Sequence, residues 1–232
     1  PHMLICGATG SGKSVSIIST IEYALASGVE EVIIFDPKYE FEDVFDGRKG
    51  VSIYSDIEEI EIQMKKLVEA MKADVKAKRK RHRLVVFDEF ADASQNARKG
   101  KELEIKDMVK VGYYAPKKDS LGFKLPPKPK MALQTVGYEN SLEKNLQLLL
   151  QKGRSVGFRI ISATQRASAK IINGDAKANF PVQVCFKVPK EVDSKVVIDE
   201  GGAEKLQGQG DGLIKSPEFD SVVRFQAYYK VI

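Results

Sequence analysis

Eight residues near the start of this chain, Gly7-Ala8-Thr9-Gly10-Ser11-Gly12-Lys13-Ser14, leave few folds open to it. They fit G-x-x-x-x-G-K-[ST] at every fixed position. The apolar run Met3-Leu4-Ile5-Cys6 precedes them, and a helix-compatible stretch from Ser16 to Ala26 follows. Strand, glycine-rich turn and helix is the order in which successive backbone N–H groups curl around a phosphate. The glycines permit the curl, and the helix N-terminus contributes about half a positive charge. Lys13 is placed to reach the β- and γ-phosphates and Ser14 to ligate Mg²⁺, with Val15 closing the segment around the nucleotide. The chain is expected to bind ATP with Mg²⁺.

Further apolar runs follow at intervals. Val32-Ile33-Ile34-Phe35, Val51-Ser52-Ile53-Tyr54, Leu84-Val85-Val86-Phe87, Phe158 to Ala163 and Val182 to Val188 all read as strands. Between the second and third of these, Ser55 or Asp56 caps a helix running to about Lys80. Its start is acidic and its end basic, in keeping with the helix dipole. Strands alternating with helices imply an α/β fold, a mostly parallel sheet wrapped by helices. Gly212-Leu213-Ile214 and Val222 to Val231, split by Ser216-Pro217-Glu218, predict an antiparallel hairpin at the sheet edge.

Two strand tips carry chemistry. Leu84 to Phe87 ends in Asp88-Glu89, some 75 residues beyond the glycine-rich loop. At the carboxyl end of a strand, Asp88 would hold Mg²⁺, directly or through water. Glu89 would orient and deprotonate the attacking water. Thr164-Gln165-Arg166 forms another polar tip, at the edge where ligands gather in open α/β sheets. Gln165 either senses the γ-phosphate and positions water, or belongs to a plain surface turn.

Charge is nearly balanced, with 37 Lys+Arg against 32 Asp+Glu. That +5 is compatible with a polyanionic partner without requiring one. Cys6 and Cys185 lie in apolar runs and read as buried thiols of a reducing compartment. No apolar run is long enough to span a membrane and no signal peptide is evident, so a cytoplasmic location is expected, with any anchor lying elsewhere. Pro1-His2 is either native or a cloning scar.

The chain is expected to form one domain over residues 1–232, with an insert at about 95–141. The insert has weak periodicity, four prolines, ten basic residues and five acidic ones, a net +5 equal to that of the whole chain. It reads as a long loop, either a mobile arm that touches DNA phosphates or a partner, or a solvated segment.

Several stretches resemble the FtsK/SpoIIIE DNA translocases, within the FtsK–HerA group of RecA-like ATPases. They are Pro1 to Cys6, Asp36-Pro37-Lys38, Asp88 to Asp92, Gln151 to Gly157, Ala163 to Ser168, Lys177 to Pro181, Val192 to Lys195, and Gly202 to Leu206 with Gly210-Asp211. They occur in the family's order and span nearly everything but the insert. The resemblance implies a RecA-like fold and a homo-oligomeric, hexameric ring with ATP between neighbours and double-stranded DNA in the pore. It makes Arg154 a finger reaching a neighbour's γ-phosphate, a role suited to a planar guanidinium. It sets Arg166 and Lys195 facing DNA phosphates. Gln183 and Glu191 stand where the family often has basic residues, and Lys190, beside Glu191, is a substitute candidate. The preceding domain and winged-helix module common in the family do not lie within these residues; if Pro1-His2 is a scar, a compact single-domain motor like the small viral packaging ATPases of this group is expected.

The function expected is ATP-driven movement of double-stranded DNA, in chromosome or plasmid transfer or viral genome packaging. The competing expectation is an FtsK-like ATPase driving polypeptide export. A degenerate nucleotide-binding module is disfavoured by the intact Lys13, Ser14, Asp88 and Glu89.

Overall fold

A computed structural model describes residues 1–90, 93, 104–138, 141–167 and 177–228. In chain order, β1 (Met3–Cys6) leads into α1 (Lys13–Ala26), β2 (Glu31–Phe35), the short α2 (Glu42–Phe45) and β3 (Val51–Tyr54). Next come α3 (Ile57–Lys76), β4 (Arg83–Phe87), β5 (Glu104–Tyr113), β6 (Pro129–Tyr138), α4 (Ser141–Lys152) and β7 (Phe158–Thr164). The last elements are β8 (Val182–Phe186), α5 (Glu191–Ile198), β9 (Asp211–Lys215) and β10 (Val223–Gln226). The chain divides into two compact units, Pro1–Ala97 with Leu142–Ile232, and Arg98–Ser141.

In the larger unit eight strands form one sheet in the order β10-β9-β8-β1-β7-β4-β2-β3. From β8 to β3 every pairing is parallel, while β9 and β10 add on antiparallel. The central strands β1, β2, β4 and β8 are largely apolar because both faces are covered. On one face Cys6, Ile33, Phe35, Val85 and Phe87 pack with Met64 and Leu67 of α3 and Leu146 and Leu149 of α4. On the other, Ile5, Val32, Ile34 and Val86 meet Ile17 and Ile21 of α1, with Phe41 and Phe45. Both cysteines are free and buried, and burial pushes the Cys6 thiol up to about 12, so it stays protonated.

The expected strands all form, with shifted ends. β8 stops at Phe186 rather than Val188, and β10 covers Val223–Gln226 rather than Val222 to Val231. Residues 229–232 lie outside the described ones. α1 begins at Lys13, three residues earlier than the sequence signals place it. Asp56 is the α3 cap, its side chain accepting the Glu58 N–H at 2.8 Å. α3 ends at Lys76, short of Lys80, because Lys78 turns to φ 50°.

A buried ion cluster ties α3 to β4. Arg83 donates to Asp74 Oδ2 at 2.8 Å and to Glu31 at 3.0 Å, and its guanidinium lies over the Phe158 ring, 4.9 Å from the centroid. Arg79 donates to Asp74 Oδ1 at 2.7 Å. Asp74 and Arg83 are both buried. The hydrogen bond from Arg83, seconded by Arg79, holds the Asp74 carboxyl below its ordinary value despite burial. Asp74→Ala would leave Arg83 buried without its main partner, an expected loss of about 3–5 kcal/mol in a urea melt at neutral pH. Because the folded-state value is depressed, the contribution is full above the ordinary aspartate value and fades as pH falls through the lowered one. The gap between wild type and variant should therefore narrow below about pH 4.

His2 is an integral part of the core. It is buried, its Nδ1 accepts the Ile160 N–H at 3.1 Å, and its Nε2 lies 3.1 Å from the Leu150 carbonyl. Burial pushes its pKa down to about 4, against the pull of the Leu150 carbonyl. His2 thereby ties β7 to the end of α4.

The insert corrects the expectation of a loop. β5 and β6, ten residues each, pair antiparallel with register shifts between Ile105 and Lys106 and between Lys110 and Gly112. At the tip Asp119 accepts the N–H groups of Leu121 and Phe123, and Lys118 bridges Lys124. Arg98, Lys99, Lys101, Glu102 and Glu139 lie outside the described residues. The strands escape sequence patterning because apolar side chains such as Met108, Val111, Leu133 and Val136 stand exposed among the lysines. With most of the described side chains of these strands exposed, no clean alternation of apolar and polar residues marks them.

Candidate active site

The carboxyl ends of β1, β4 and β7 meet at one edge of the larger sheet, and the glycine-rich loop leaves from β1. Its shape is fixed by backbone bonds. The Gly7 N–H reaches the Thr164 carbonyl at 3.3 Å, Ala8 N–H the Lys187 carbonyl at 2.9 Å, and Ser11 N–H turns back to Ala8 at 3.1 Å. Gly12 adopts φ 96°, and a Cβ there would stand 2.3 Å from the Gly210 nitrogen. No other residue fits that position. The Gly210 N–H donates to the Ser11 carbonyl at 2.8 Å, so the segment before β9 braces the loop from outside. Lys13, Ser14 and Val15 open α1, and their first-turn N–H groups find no acceptor among the described residues. Such donors are what a phosphate requires.

β7 lies between β1 and β4, so the Asp88-Glu89 tip and the Thr164-Gln165 tip flank each other. The Lys13 ammonium forms a buried ion pair with Asp88 Oδ1. Asp88 Oδ2 is buried without a partner among the described residues, as is the Ser11 hydroxyl. Burial pushes the Asp88 carboxyl above its ordinary value, against the attraction of Lys13. Glu89 is fully buried and holds φ 50°, a left-handed backbone uncommon outside glycine. Thr164 donates to its Oε1 at 2.8 Å, while the Gln165 N–H and Lys38 Nζ donate to Oε2 at 2.9 and 3.1 Å. Burial pushes this carboxyl up too, but the bonds from Gln165, Thr164 and Lys38 prevail and hold it below its ordinary value. The Thr9 hydroxyl donates to Gln165 Oε1 at 3.3 Å, joining the third strand tip to the glycine-rich loop. Lys13, Ser14, Asp88, Glu89 and Gln165 thus come together. Ala91, Asp92 and Ser168 lie outside the described residues.

Sequence reasoning assigned no role to three members of this cluster. Lys38 and Glu40 sit on the loop from β2 to α2, and Glu40 Oε2 accepts the Ser14 hydroxyl at 2.6 Å. Thr164 ends β7. Asp36-Pro37-Lys38 carried a family resemblance but no chemistry, and a lone Glu40 carries no signal. Beside the glycine-rich loop, Gly10, Gly12, Val15, Gln209, Gly210 and Ala227 line a cavity of about 430 Å³, mostly apolar, with the dimensions of a pocket for part of a small ligand.

The remaining predicted residues lie elsewhere. Arg154 is exposed in a 3₁₀ turn just before β7, at the amino end of the strand whose carboxyl end holds Gln165. Seven residues of β7 separate the two ends, roughly 20 Å of extended chain. Arg154 lines a cleft with Lys80, Lys152 and Arg159, and no carboxylate shares that lining. Arg166 is exposed just past Gln165. Lys190 caps α5 from an exposed position, and Lys195 pairs with Glu191 at 2.7 Å one turn away. The charge of Lys195 is therefore offset on its own helix. Gln183 is buried in β8, donating to the Phe180 carbonyl at 3.3 Å, so that position is not a surface contact.

Fold and site together define a RecA-like P-loop ATPase with one strand, β7, set between the phosphate-loop strand and the Asp-Glu strand. The model of the family described as helicase HerA, central domain, matches residues 1–199, and the chain belongs to that family. It is 34% identical over 241 residues to the DNA translocase FtsK of Campylobacter jejuni, covering 98% of this chain and 22% of that protein. Among solved structures, the pCW3 conjugation coupling protein TcpA with ATPγS matches with a TM-score of 0.71 at 22% identity, over 99% of this chain and 60% of that one. The type VII secretion ATPase EccC of Thermomonospora curvata matches with a TM-score of 0.63 at 19% identity, over 99% and 25%. The chain spans about a quarter of the length of most of the curated FtsK relatives it matches. No described helix is long and apolar enough to cross a membrane.

Proposed function

We propose that this chain is the motor domain of an ATP-driven, cytoplasmic-side translocase that moves double-stranded DNA through a ring of identical subunits. The observation that carries the ring is the separation within β7. Glu89, Lys13 and Gln165 stand at one edge of the sheet and Arg154 at the other, too far to meet in one subunit. A second subunit presenting its basic cleft to the first one's phosphate loop completes the set, and a hexamer is the closed ring we favour. DNA as the cargo is supported by the likeness to FtsK and by membership of the HerA family.

In the proposed reaction the N–H groups of the loop and Lys13 hold the phosphates of ATP, and the cavity beside Gly10 and Gln209 receives the rest of the nucleotide. Water attacks the γ-phosphorus, its proton passes to Glu89, and the bond to the bridging oxygen breaks to give ADP and phosphate. Gln165 steadies the water and Arg154 of a neighbour offsets the developing charge. Asp88 and Ser14 are the residues we assign to Mg²⁺, because hard oxygen donors suit it and Asp88 Oδ2 is buried without a partner. The ion, when bound, neutralises phosphate charge. Arg166 and Lys190 are the proposed contacts to DNA. Lys195 would have to release Glu191 to join them.

The test is ATP turnover with and without duplex DNA, alongside particle mass. Turnover should rise with duplex, the duplex effect should weaken as salt increases, and the active species should be larger than a monomer. A monomer whose turnover ignores DNA would end this proposal. The likeness to EccC favours a second reading, export of polypeptides, in which an unfolded polypeptide rather than duplex raises turnover.

A further inference from the structure

Lys38 occupies an acceptor site on the carboxylate that the proposed reaction uses as its base. Glu89 offers two carboxylate oxygens. Oε1 is taken by the buried Thr164 hydroxyl, and Oε2 is shared by the rigid Gln165 N–H and the Lys38 ammonium. Thr164 ends β7 and Gln165 follows it directly, so both of the first two donors sit at the tip of a strand packed inside the sheet. Lys38 differs from them. Its side chain is 29% exposed, it has a long flexible stem, and it belongs to a loop rather than a strand. While it stays on Oε2, no lone pair of that oxygen faces an attacking water.

The loop that carries Lys38 is anchored at its ends and loaded at its middle. Asp36 is buried, and its Oδ2 accepts the Phe41 N–H at 2.8 Å. Phe41 is itself buried in the core. Between these anchors Tyr39 takes φ 60°, which aims its two neighbours at the site. Lys38 lands on Glu89 and Glu40 on the Ser14 hydroxyl. Both contacts fall on groups that the proposed reaction uses, Glu89 for the water and Ser14 for Mg²⁺. The loop is thus tied to the candidate site through Lys38 and Glu40.

We propose that Lys38 is a positioning residue that distinguishes ATP from ADP, staying on Glu89 when the γ-phosphate is missing and moving to the γ-phosphate when it is present. A γ-phosphate carries more charge than one carboxylate and offers three oxygens, so it is the stronger partner for an ammonium. Transfer of Lys38 frees Oε2 to accept a hydrogen bond from water, and turnover is confined to the triphosphate state. This rests on the ATP-site assignment above.

The test compares affinities for ATPγS and ADP by displacement of a fluorescent nucleotide, which requires no turnover. Wild type should prefer ATPγS. Lys38→Met, which keeps the stem and loses the charge, should weaken ATPγS about tenfold, the size of one charge-assisted contact, and leave ADP within about twofold. Lys38→Arg should keep most of the preference. Lys38→Gln repeats the comparison as a guard against a folding defect in the Met variant. Equal weakening of both nucleotides, or an unchanged ATPγS affinity, would overturn the role of Lys38 while leaving the phosphate site standing. Wild type that bound neither nucleotide would remove the site itself, and the Lys38 role with it.

Discussion

Glu89→Gln is expected to bind ATP much as wild type does and to turn it over about 10²–10⁴-fold more slowly, the usual worth of a positioned general base. The substitution keeps shape and size. Oε1 remains an acceptor for the Thr164 hydroxyl, and the fold should hold because the carboxylate is not part of the apolar core. What disappears is the ability to take a proton from water. The pair with Lys38 disappears too, so the loop from β2 to α2 should loosen in the nucleotide-free protein. Single-turnover hydrolysis with saturating ATP measures the effect directly, since product release then plays no part. A rate within a few-fold of wild type would remove Glu89 from the reaction.

Arg154→Ala should be equally silent in binding and nearly as damaging in turnover, by about 10³-fold or more if it acts as the finger. Its side chain is exposed and lies beyond the far end of β7, so neither stability nor the affinity of its own phosphate loop should change. The informative experiment mixes the two inactive proteins. Where an intact Glu89 of one subunit meets an intact Arg154 of the next, a working site forms, and some turnover should return. Absence of any recovery in mixed assemblies, with each variant alone still able to assemble, would refute a role across the subunit boundary.

The strands of the larger unit were legible in the sequence because β1, β2, β4, β7 and β8 are mostly buried within the sheet. Burial on two sides writes itself as an unbroken apolar run, and Ile33, Val85 and Ile160 announce their strands without help from any motif. The insert gave no such signal. Most of its described side chains are exposed, Met108 and Leu133 among them, and Pro126 and Pro127 pointed to a loop. Within the site, Lys13, Ser14, Asp88 and Glu89 were visible as residue types at recognised spacings. Lys38 and Glu40 were not. Lys38 meets Glu89 only because β2 is hydrogen-bonded to β4, which brings residues 51 apart in the chain side by side. Local pattern carries no record of strand order. The Lys195–Glu191 pair was overlooked for a simpler reason, since an exposed lysine reads as available until its neighbour one helical turn away is considered.

β7 has a consequence for any assembly in which Arg154 serves a neighbour. The strand begins one residue, Gly157, after the turn that bears Arg154 and ends with Thr164, followed by Gln165, both bonded to Glu89. Two successive combustion chambers of the ring would then be joined by one pushrod of seven residues, hydrogen-bonded along both sides and almost wholly buried. A packed strand of this kind has little slack. In such an assembly, movement of the finger would reach the base of the adjoining site through Gly157 and this one strand.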